Sequence, residues 1–434
     1  MTTRLRDLLS GPIFWFTLGV IVMVAATAAR ELIFDRDEEA ATPPKAGSAE
    51  LVIYSGKDES IGGQRQKLID EWNADPANKN TPARLVSLPA NADAQHSQMR
   101  ATAQSEVSDA DIYNLDTTWT AAFASAGFIL PLDPSTDTAG FLPAPLQTCT
   151  YDGRLWALPF NTDAGLLYHR KGVLDSAKPS GLPPGPNDVR ALRDAVRGIE
   201  AGFVTPLDMY EGLTVSALEA IWAEDGEVYD AERDLVVIDS EEARSGLRKL
   251  ARSMQSVDGL PPALYPSSTT LDENGSREAF RGGKVALMRN WPVAYGQLRA
   301  GERAMTDFDV WELPGSSVLG GQNLAVARST DDPAAAQRLI RFLTSEESEI
   351  RLFRDGGLAA TRASAYTDPS VTAKRPYAET LKSALDSARA RPVTTHYALF
   401  SSTFQEIVRE ALAKDGELPG DAVARLTKAL HGQV

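Results

Sequence analysis

Residues 51–76, LVIYSGKDESIGGQRQKLIDEWNADP, predict a buried strand followed by a helix. The strand is a short run of β-branched and aromatic residues, LVIYS, that leads into a loop at Gly56. Leu68, Ile69 and Trp72 then share one face of a helix, and a proline ends the segment. The folded part of the chain therefore starts with the strand–helix unit from which α/β proteins are built.

The alternation of strand and helix continues along the rest of the chain. ARLVSLPA and DIYNL are the next two predicted strands, and WTAAFASAG is a helix that Gly127 stops. LLYHR, LVVID, KVALM, FDVWELP and NLAVA are later predicted strands, with helices between them. This pattern predicts an α/β fold with a largely parallel sheet. The 434 residues are enough for two domains, or for one domain with two lobes.

Charged residues are distributed unevenly along the chain. The sequence has 44 Lys and Arg against 59 Asp and Glu, which gives a net charge of −15. Residues 1–11 carry +1, residues 12–29 carry no charge, and the remainder carries −16. An apolar stretch behind a basic N-terminus predicts an export signal, with residues 1–11 in the cytoplasm and the rest of the chain outside.

The apolar segment leaves two outcomes open. Ala26-Thr27-Ala28 is typical of a cleavage site with small residues, which would secrete the protein. Residues 12–29 are also long enough to remain as a single transmembrane anchor on the extracytoplasmic face of the cell membrane. No cysteine lies directly after the segment, since the single cysteine is Cys149, so an N-terminal lipid anchor is excluded. Residues 30–49 are acidic and then rich in Ala, Pro and Gly, which predicts a flexible linker.

The composition argues against several classes of protein. An acidic chain without a basic patch disfavours nucleic-acid binding. The single cysteine, Cys149, excludes an internal disulfide framework and a cysteine-based zinc cluster. The four histidines show no HxH or HxxxH spacing, which argues against a histidine metal site. We therefore predict no metal and no cofactor.

Polar and aromatic residues follow several of the predicted strands. In open α/β sheets, ligands bind beyond the carboxyl ends of strands. Carboxylates and amides can hydrogen-bond paired hydroxyls, and an indole face can cover the C–H face of a pyranose, so this set suits a sugar. The candidates are Asp116, Trp119, Asn161, Asp163, Asn290, Trp291, Gly321 and Asn323.

Each candidate has a purely structural alternative that the sequence leaves open. Trp119 and Trp291 can belong to the core, since large aromatic side chains are mostly buried. Asp116 can cap the helix that follows it. Asn161 and Asp163 can satisfy a turn.

Six segments in a fixed order resemble a known family. They are DIYNLDTTWTAAFASAGFILPLD, YDGRLWALPFNTDAGLLYHRKGVL, DMYEGLTVSALEAIW, SREAFRGGKVALMRNWPVAY, GGQNLAVARSTDDPAAAQRLIRFLTSEE and LAATRASAY. Over residues 50–430 the chain resembles the bacterial extracellular solute-binding proteins of family 1, the maltose/trehalose-type sugar receptors of ABC importers. It departs from the family pattern at His169, where an aromatic residue is usual, and at Ala360, where proline is usual.

The resemblance implies a periplasmic-binding-protein-like fold of two α/β lobes joined by three hinge crossovers. The implied crossovers lie near residues 160–163, 308–313 and 356–361. The implied lobe limits are 50–161 and 310–357 for the first lobe, and 162–309 and 358–434 for the second.

The resemblance also implies a sugar site between the lobes. It adds to the candidates Glu211 from the second lobe, Arg362 after the third crossover, Asp58 or Glu59 in the loop after the first strand, and Tyr397 as an aromatic wall. It implies no catalytic residue.

Three functions are open at this point. The leading hypothesis is a receptor that captures a glucose-type di- or oligosaccharide and delivers it to the permease subunits of an ABC importer. The alternative is a membrane-anchored sensory protein that passes its state to a membrane signalling partner, which an uncleaved N-terminal helix would favour. A glycoside hydrolase is the third, because Asp163 and Glu211 can face one cleft.

Overall fold

The computed structural model describes residues 50–171, 178–196 and 198–433. The predicted N-terminal segment and the linker, residues 1–49, lie outside the described residues, so the predicted signal or anchor stays a prediction. In the described ranges, every helix is too short or too polar to cross a lipid bilayer.

Two separate sheets organise the described residues. The first has five strands in the order β2-β1-β3-β13-β6, and the second has four in the order β12-β7-β11-β8. Two short hairpins, β4-β5 and β9-β10, lie outside these sheets. The strands are β1 Leu51–Gly56, β2 Ala83–Leu88, β3 Ile112–Asp116, β4 Thr150–Tyr151, β5 Arg154–Leu155, β6 Ala157–Ala164, β7 Leu166–Arg170, β8 Ala201–Val204, β9 Tyr229–Asp230, β10 Leu235–Val236, β11 Val285–Asn290, β12 Phe308–Glu312 and β13 Leu319–Val326.

Helices pack around both sheets. Short 3₁₀ turns at Pro76–Asn78, Pro266–Thr270 and Ala363–Tyr366 and a π-helical turn at Leu352–Gly356 complete the described elements. The α-helices are α1 Gln64–Ala74, α2 Ala92–Gln104, α3 Thr120–Ser125, α4 Pro143–Gln147, α5 Pro186–Ala195, α6 Glu211–Trp222, α7 Glu241–Arg252, α8 Glu273–Arg281, α9 Val293–Leu298, α10 Pro333–Leu343, α11 Glu346–Arg351, α12 Pro369–Lys374, α13 Ala378–Asp386, α14 Tyr397–Leu412 and α15 Ala422–Leu430.

The first strand–helix unit forms as the sequence predicts. Leu51 and Ile53 of β1 are buried in one hydrophobic cluster with Leu68, Ile69 and Trp72 of α1. The α/β prediction is therefore confirmed at the point where the folded chain begins.

The prediction of largely parallel sheets is wrong. β1 pairs in parallel with β2 and β3, and β8 pairs in parallel with β11. β13 runs antiparallel to both β3 and β6, and β7 runs antiparallel to both β11 and β12. The antiparallel strands are those that carry the chain between the sheets, and a strand arriving from the other lobe enters its new sheet in the reverse direction.

We call the parts built on the five-stranded and four-stranded sheets the first and second lobe. The chain leaves the first sheet at Ala164 and enters the second at Leu166, with Gly165 between them. It returns between Glu312 and Leu319. After the π-helical turn, Ala359, Ala360 and Ala365 pack in one hydrophobic cluster with residues of the second sheet. The lobe limits predicted from the sequence, at residues 161, 309 and 357, remain predictions.

A buried carboxyl group holds the segment that follows this third passage. Glu349 of α11 accepts hydrogen bonds from the backbone N–H of Thr361 at 2.5 Å and of Arg362 at 3.1 Å. The Thr361 hydroxyl donates to it as well, at 2.6 Å. Burial is the largest influence on this group, and it raises the pKa of Glu349 to about 8 despite these donors.

The raised pKa of Glu349 predicts a pH-dependent stability. The folded protein keeps a proton that the unfolded chain releases between pH 4.5 and about 8, so the free energy of unfolding falls as the pH rises through this window. Urea unfolding near the two ends of the window should show a smaller loss for Glu349→Gln than for the wild type. Glu346→Gln, on an exposed position of the same helix, is the control, and equal losses in all three proteins would contradict the prediction.

Candidate functional site

A cleft of about 560 Å³ is lined by residues of both lobes. The first lobe contributes the ends of β3 and β6 and the start of β13, and the second contributes the start of α6 and the end of β11. Clefts of roughly 300–1,000 Å³ are typical of small-molecule sites. Nine of the residues predicted from the sequence line this cleft: Glu59, Asp116, Trp119, Asn161, Asp163, Glu211, Asn290, Trp291 and Gly321.

Four predicted residues do not line the cleft, and two of them have local structural roles. Asp58 accepts hydrogen bonds from the backbone N–H of Ser60 at 2.9 Å and of Arg65 at 3.0 Å, so it fixes the loop before α1. Asn323 is fully buried and donates to the hydroxyl of Thr120 at 3.1 Å. The pairing of β6 and β13 shifts register between Gln322 and Asn323, and alternation along the strand turns the Asn323 side chain into the core.

Arg362 and Tyr397 also lie away from the cleft surface. The Arg362 guanidinium donates to the carbonyl of Thr344 at 2.8 Å and stacks 3.5 Å from the ring centroid of Phe141. Tyr397 is buried, and its hydroxyl donates to Glu211 Oε1 at 2.5 Å. Tyr397 therefore supports Glu211 from behind and does not form a wall of the cleft.

Arg391 lines this cleft and was not among the residues predicted from the sequence. Its Nη1 donates to Glu211 Oε1 at 2.7 Å, and its Nη2 donates to Asp116 Oδ1 at 2.8 Å and to the Thr117 hydroxyl at 3.0 Å. Burial opposes its charge, but Asp116, Tyr397 and Glu211 outweigh burial and raise the pKa of Arg391. One guanidinium thus joins a carboxylate of the first lobe to a carboxylate of the second.

Arg65 supports the first-lobe side of the cleft, which we call its floor and which includes Asn161, Gly321 and Gln322. Its Nη2 donates to Asn161 Oδ1 at 3.1 Å and also contacts Gln322 Oε1. A sequence signal for this role exists, because Arg65 lies at helical spacing with the buried Leu68 and Trp72. A cation within an apolar helix stripe is buried only where polar partners meet it.

Trp291 forms one wall of the cleft. Its indole Nε1 donates to Glu273 Oε1 at 3.2 Å, and the Arg289 guanidinium lies 3.8 Å from its ring centroid. A Cβ added to Gly320 would lie 3.2 Å from both the Trp291 ring and the Asp163 side chain. The absence of a side chain at Gly320 therefore allows the indole to pack closely against the start of β13. Trp119 lines the cleft too, but its ring is largely buried and packs edge-on against His96.

The carboxyl groups of the cleft differ in how many hydrogen bonds they already accept from the protein. Both oxygens of Glu211 are engaged, since Ser401 donates to Oε2 at 2.6 Å while Arg391 donates to Oε1. Asp163 receives a long hydrogen bond of 3.4 Å from Asn161. Removal from water raises the pKa of Asp163 to about 7, although Arg65 and Arg289 oppose this shift. Asp163 is therefore a carboxyl group that gains from new hydrogen-bond donors.

In the described part of the chain, no group of three His, Cys, Asp or Glu side chains lies close enough to hold a metal ion. The cleft combines hydrogen-bonding groups with an indole face. Such groups can hydrogen-bond hydroxyl groups, and an indole can cover an apolar ring face.

Known proteins match this chain over most of its length. A probable ABC transporter-binding protein of Deinococcus radiodurans is 28% identical over 413 residues, which cover 90% of this chain and 94% of that protein. The maltose-bound MalE3 of T. maritima is 27% identical, with a TM-score of 0.76 over 88% of this chain and 99% of that one. The GacH receptor of Streptomyces glaucescens, studied unliganded and with acarbose, is 22% identical and shares the fold, with a TM-score of 0.73 over 89% of this chain and 100% of that one.

A family model described as bacterial extracellular solute-binding protein matches residues 72–378, well over half of the chain. The match spans parts of both lobes and most of the residues that line the cleft. The chain belongs to the bacterial extracellular solute-binding protein family.

Proposed function

We propose that this protein captures a carbohydrate, a glucose-type di- or oligosaccharide, in the cleft between its lobes. The observation that carries the proposal is the indole face of Trp291 beside Asp163 and Asn161, where one ring and several hydrogen-bonding groups face one space. An indole covers the apolar face of a pyranose, while carboxylates and amides take up its hydroxyl groups. The family consists of solute-binding proteins and not of enzymes, so the glycoside hydrolase hypothesis is wrong.

Binding would work by a shift between open and closed arrangements of the lobes. Hydroxyl groups of the sugar would donate to Asp163 and Asp116 from the first lobe, and the ring would lie against Trp291 of the second. A ligand that contacts both lobes binds the closed arrangement more tightly than the open one, and so it shifts the population towards closure.

We further propose that the closed form delivers its sugar to the permease of an ABC importer on the extracytoplasmic side of the membrane. Support comes from relatives: one is named a probable ABC transporter-binding protein, and another was solved with maltose.

Residues 12–29 would keep the protein at the membrane or direct its secretion. A sensory role through the same cleft is the alternative that an anchored form would favour. Purification from membranes with permease subunits supports import, and purification with a signalling receptor supports sensing.

Removal of the indole tests the sugar proposal. Trp291→Ala should weaken binding of maltose or trehalose by about tenfold or more, because the pyranose loses its apolar contact surface. Isothermal titration calorimetry measures this loss. Trp311→Ala is the matched control, since Trp311 stacks on His169 at 3.7 Å and does not line the cleft. If the folded wild-type protein gives no heat of binding with any sugar of a disaccharide panel, the proposal is wrong.

The charge of the cleft predicts discrimination against anionic sugars. The lining includes seven acidic side chains against four basic ones, and the excess repels a phosphate group. We expect trehalose to bind at least about tenfold more tightly than trehalose 6-phosphate. The acidic side chains are Glu59, Asp116, Asp163, Asp208, Glu211, Asp272 and Glu273, and the basic ones are Lys57, Arg65, Arg277 and Arg391. Equal or tighter binding of the phosphate in competition calorimetry would show that the basic side chains dominate.

The titration of Asp163 predicts a pH-dependent affinity. Its pKa of about 7 means that the carboxyl group loses its proton as the pH rises through neutrality, and the ionised form accepts sugar hydroxyls more strongly. Affinity should therefore increase as the pH rises through 7, when calorimetry is repeated below and above this value. Asp163→Asn should bind more weakly and lose the pH dependence. If the affinity of this variant changes with pH as in the wild type, Asp163 is excluded as the source of the pH dependence.

A further inference from the structure

A second buried ion pair lies behind the cleft and does not line it. Arg289 of β11 is buried and donates to Glu219 of α6 through two nitrogens, Nε to Oε2 at 2.9 Å and Nη2 to Oε1 at 2.7 Å. This forked geometry fixes the plane of the guanidinium. Neither side chain reaches the space proposed for the sugar, so the pair has no direct role in the proposed contacts.

The pair contacts two of the passages between the lobes. Glu219 Oε1 accepts a hydrogen bond from the backbone N–H of Val318 at 3.1 Å, within the return passage to the first sheet. The hydroxyl of Ser317 lies 3.4 Å from the same oxygen and accepts from the Gly165 N–H at 2.6 Å. Gly165 is the residue between β6 and β7, so the two passages meet at one carboxylate.

Gly165 also lies directly against the arginine. A Cβ built on Gly165 would be 2.9 Å from Arg289 Nε and from Nη2. Rotation of the chain at Gly165 therefore changes the space available to the guanidinium. A small cavity of about 30 Å³ next to Glu219, Arg289 and Leu313 leaves room for such a movement, because it can hold one water molecule.

On its other side the pair contacts the cleft wall. The Arg289 guanidinium lies 3.8 Å from the ring centroid of Trp291, and the ring itself packs closely over Gly320 of the first lobe. The contacts thus form a continuous series from the two passages, through Glu219 and Arg289, to the indole that faces the cleft.

We propose that Glu219 and Arg289 are positioning residues that couple the angle between the lobes to the orientation of Trp291. This inference rests on the proposed function only in the identity of the molecule that Trp291 contacts. A buried ion pair is stable in a narrow range of geometries, since a lost partner leaves an uncompensated charge. The pair therefore favours one arrangement of the two passages, and the same arrangement holds the indole against the sugar.

The first experiment measures the lobes without a ligand. Fluorescent labels are attached to Val107→Cys in the first lobe and Leu235→Cys in the second, because both positions are exposed. The native Cys149 is buried and does not compete for the label. Single-molecule energy transfer should show a broader distribution of distances in Glu219→Gln and in Gly165→Ala than in the otherwise unaltered labelled protein. Glu224→Gln is the matched control, because Glu224 lies just beyond the same helix and pairs with Lys249 near the surface.

The second experiment measures sugar binding by calorimetry on the same variants. Glu219→Gln should weaken binding by about tenfold although every residue that lines the cleft is intact. The double variant Glu219→Gln with Arg289→Met replaces the pair by neutral side chains of similar size, which preserves folding. It should melt close to the wild type and still bind weakly.

The outcomes separate the two proposals. A double variant that binds as tightly as the wild type and has the wild-type distance distribution would overturn the positioning role. A wild type that binds no sugar would overturn the proposed function, while the distance distributions of the unliganded variants would still decide the role of the pair.

Discussion

The cleft depends on the pairing of a buried guanidinium with carboxylates from both lobes. Arg391 is buried between Asp116, at the end of a first-lobe strand, and Glu211, at the start of a second-lobe helix. A buried cation is tolerated only with such partners. The same requirement fixes how far apart the two carboxylates can lie, and therefore the width of the cleft at its base.

The floor of the cleft depends on a second constraint, which is steric. A Cβ on Gly321 would lie 2.3 Å from the carbonyl oxygen of Asn161, and the φ angle of Gly321 is +128°. Only glycine satisfies both conditions without strain. The close approach brings Asn161 and Asp163 to the surface of the cleft, and the register shift that follows turns Asn323 away from it.

Local patterns predicted those candidates whose position follows from strand ends. Asp116 and Trp291 are such cases, because each lies at the carboxyl end of a strand, and ligands of open α/β sheets bind beyond these ends. Arg362 and Arg391 show where the rule fails. Both follow the third passage and both belong to loops, but Arg362 turns to the carbonyl of Thr344 and the ring of Phe141, whereas Arg391 enters the cleft. No local feature distinguishes these two arginines.

The sequence by itself determined the α/β class, the family and nine of the residues that line the cleft, since periodicity, strand ends and motif order are properties of neighbouring residues. Only the tertiary structure decided which charges meet. Arg391 is 275 positions from Asp116 and 180 from Glu211 along the chain. Contacts over such separations leave no local pattern, because they depend on how two lobes, each built from separate segments of the chain, close on a common space.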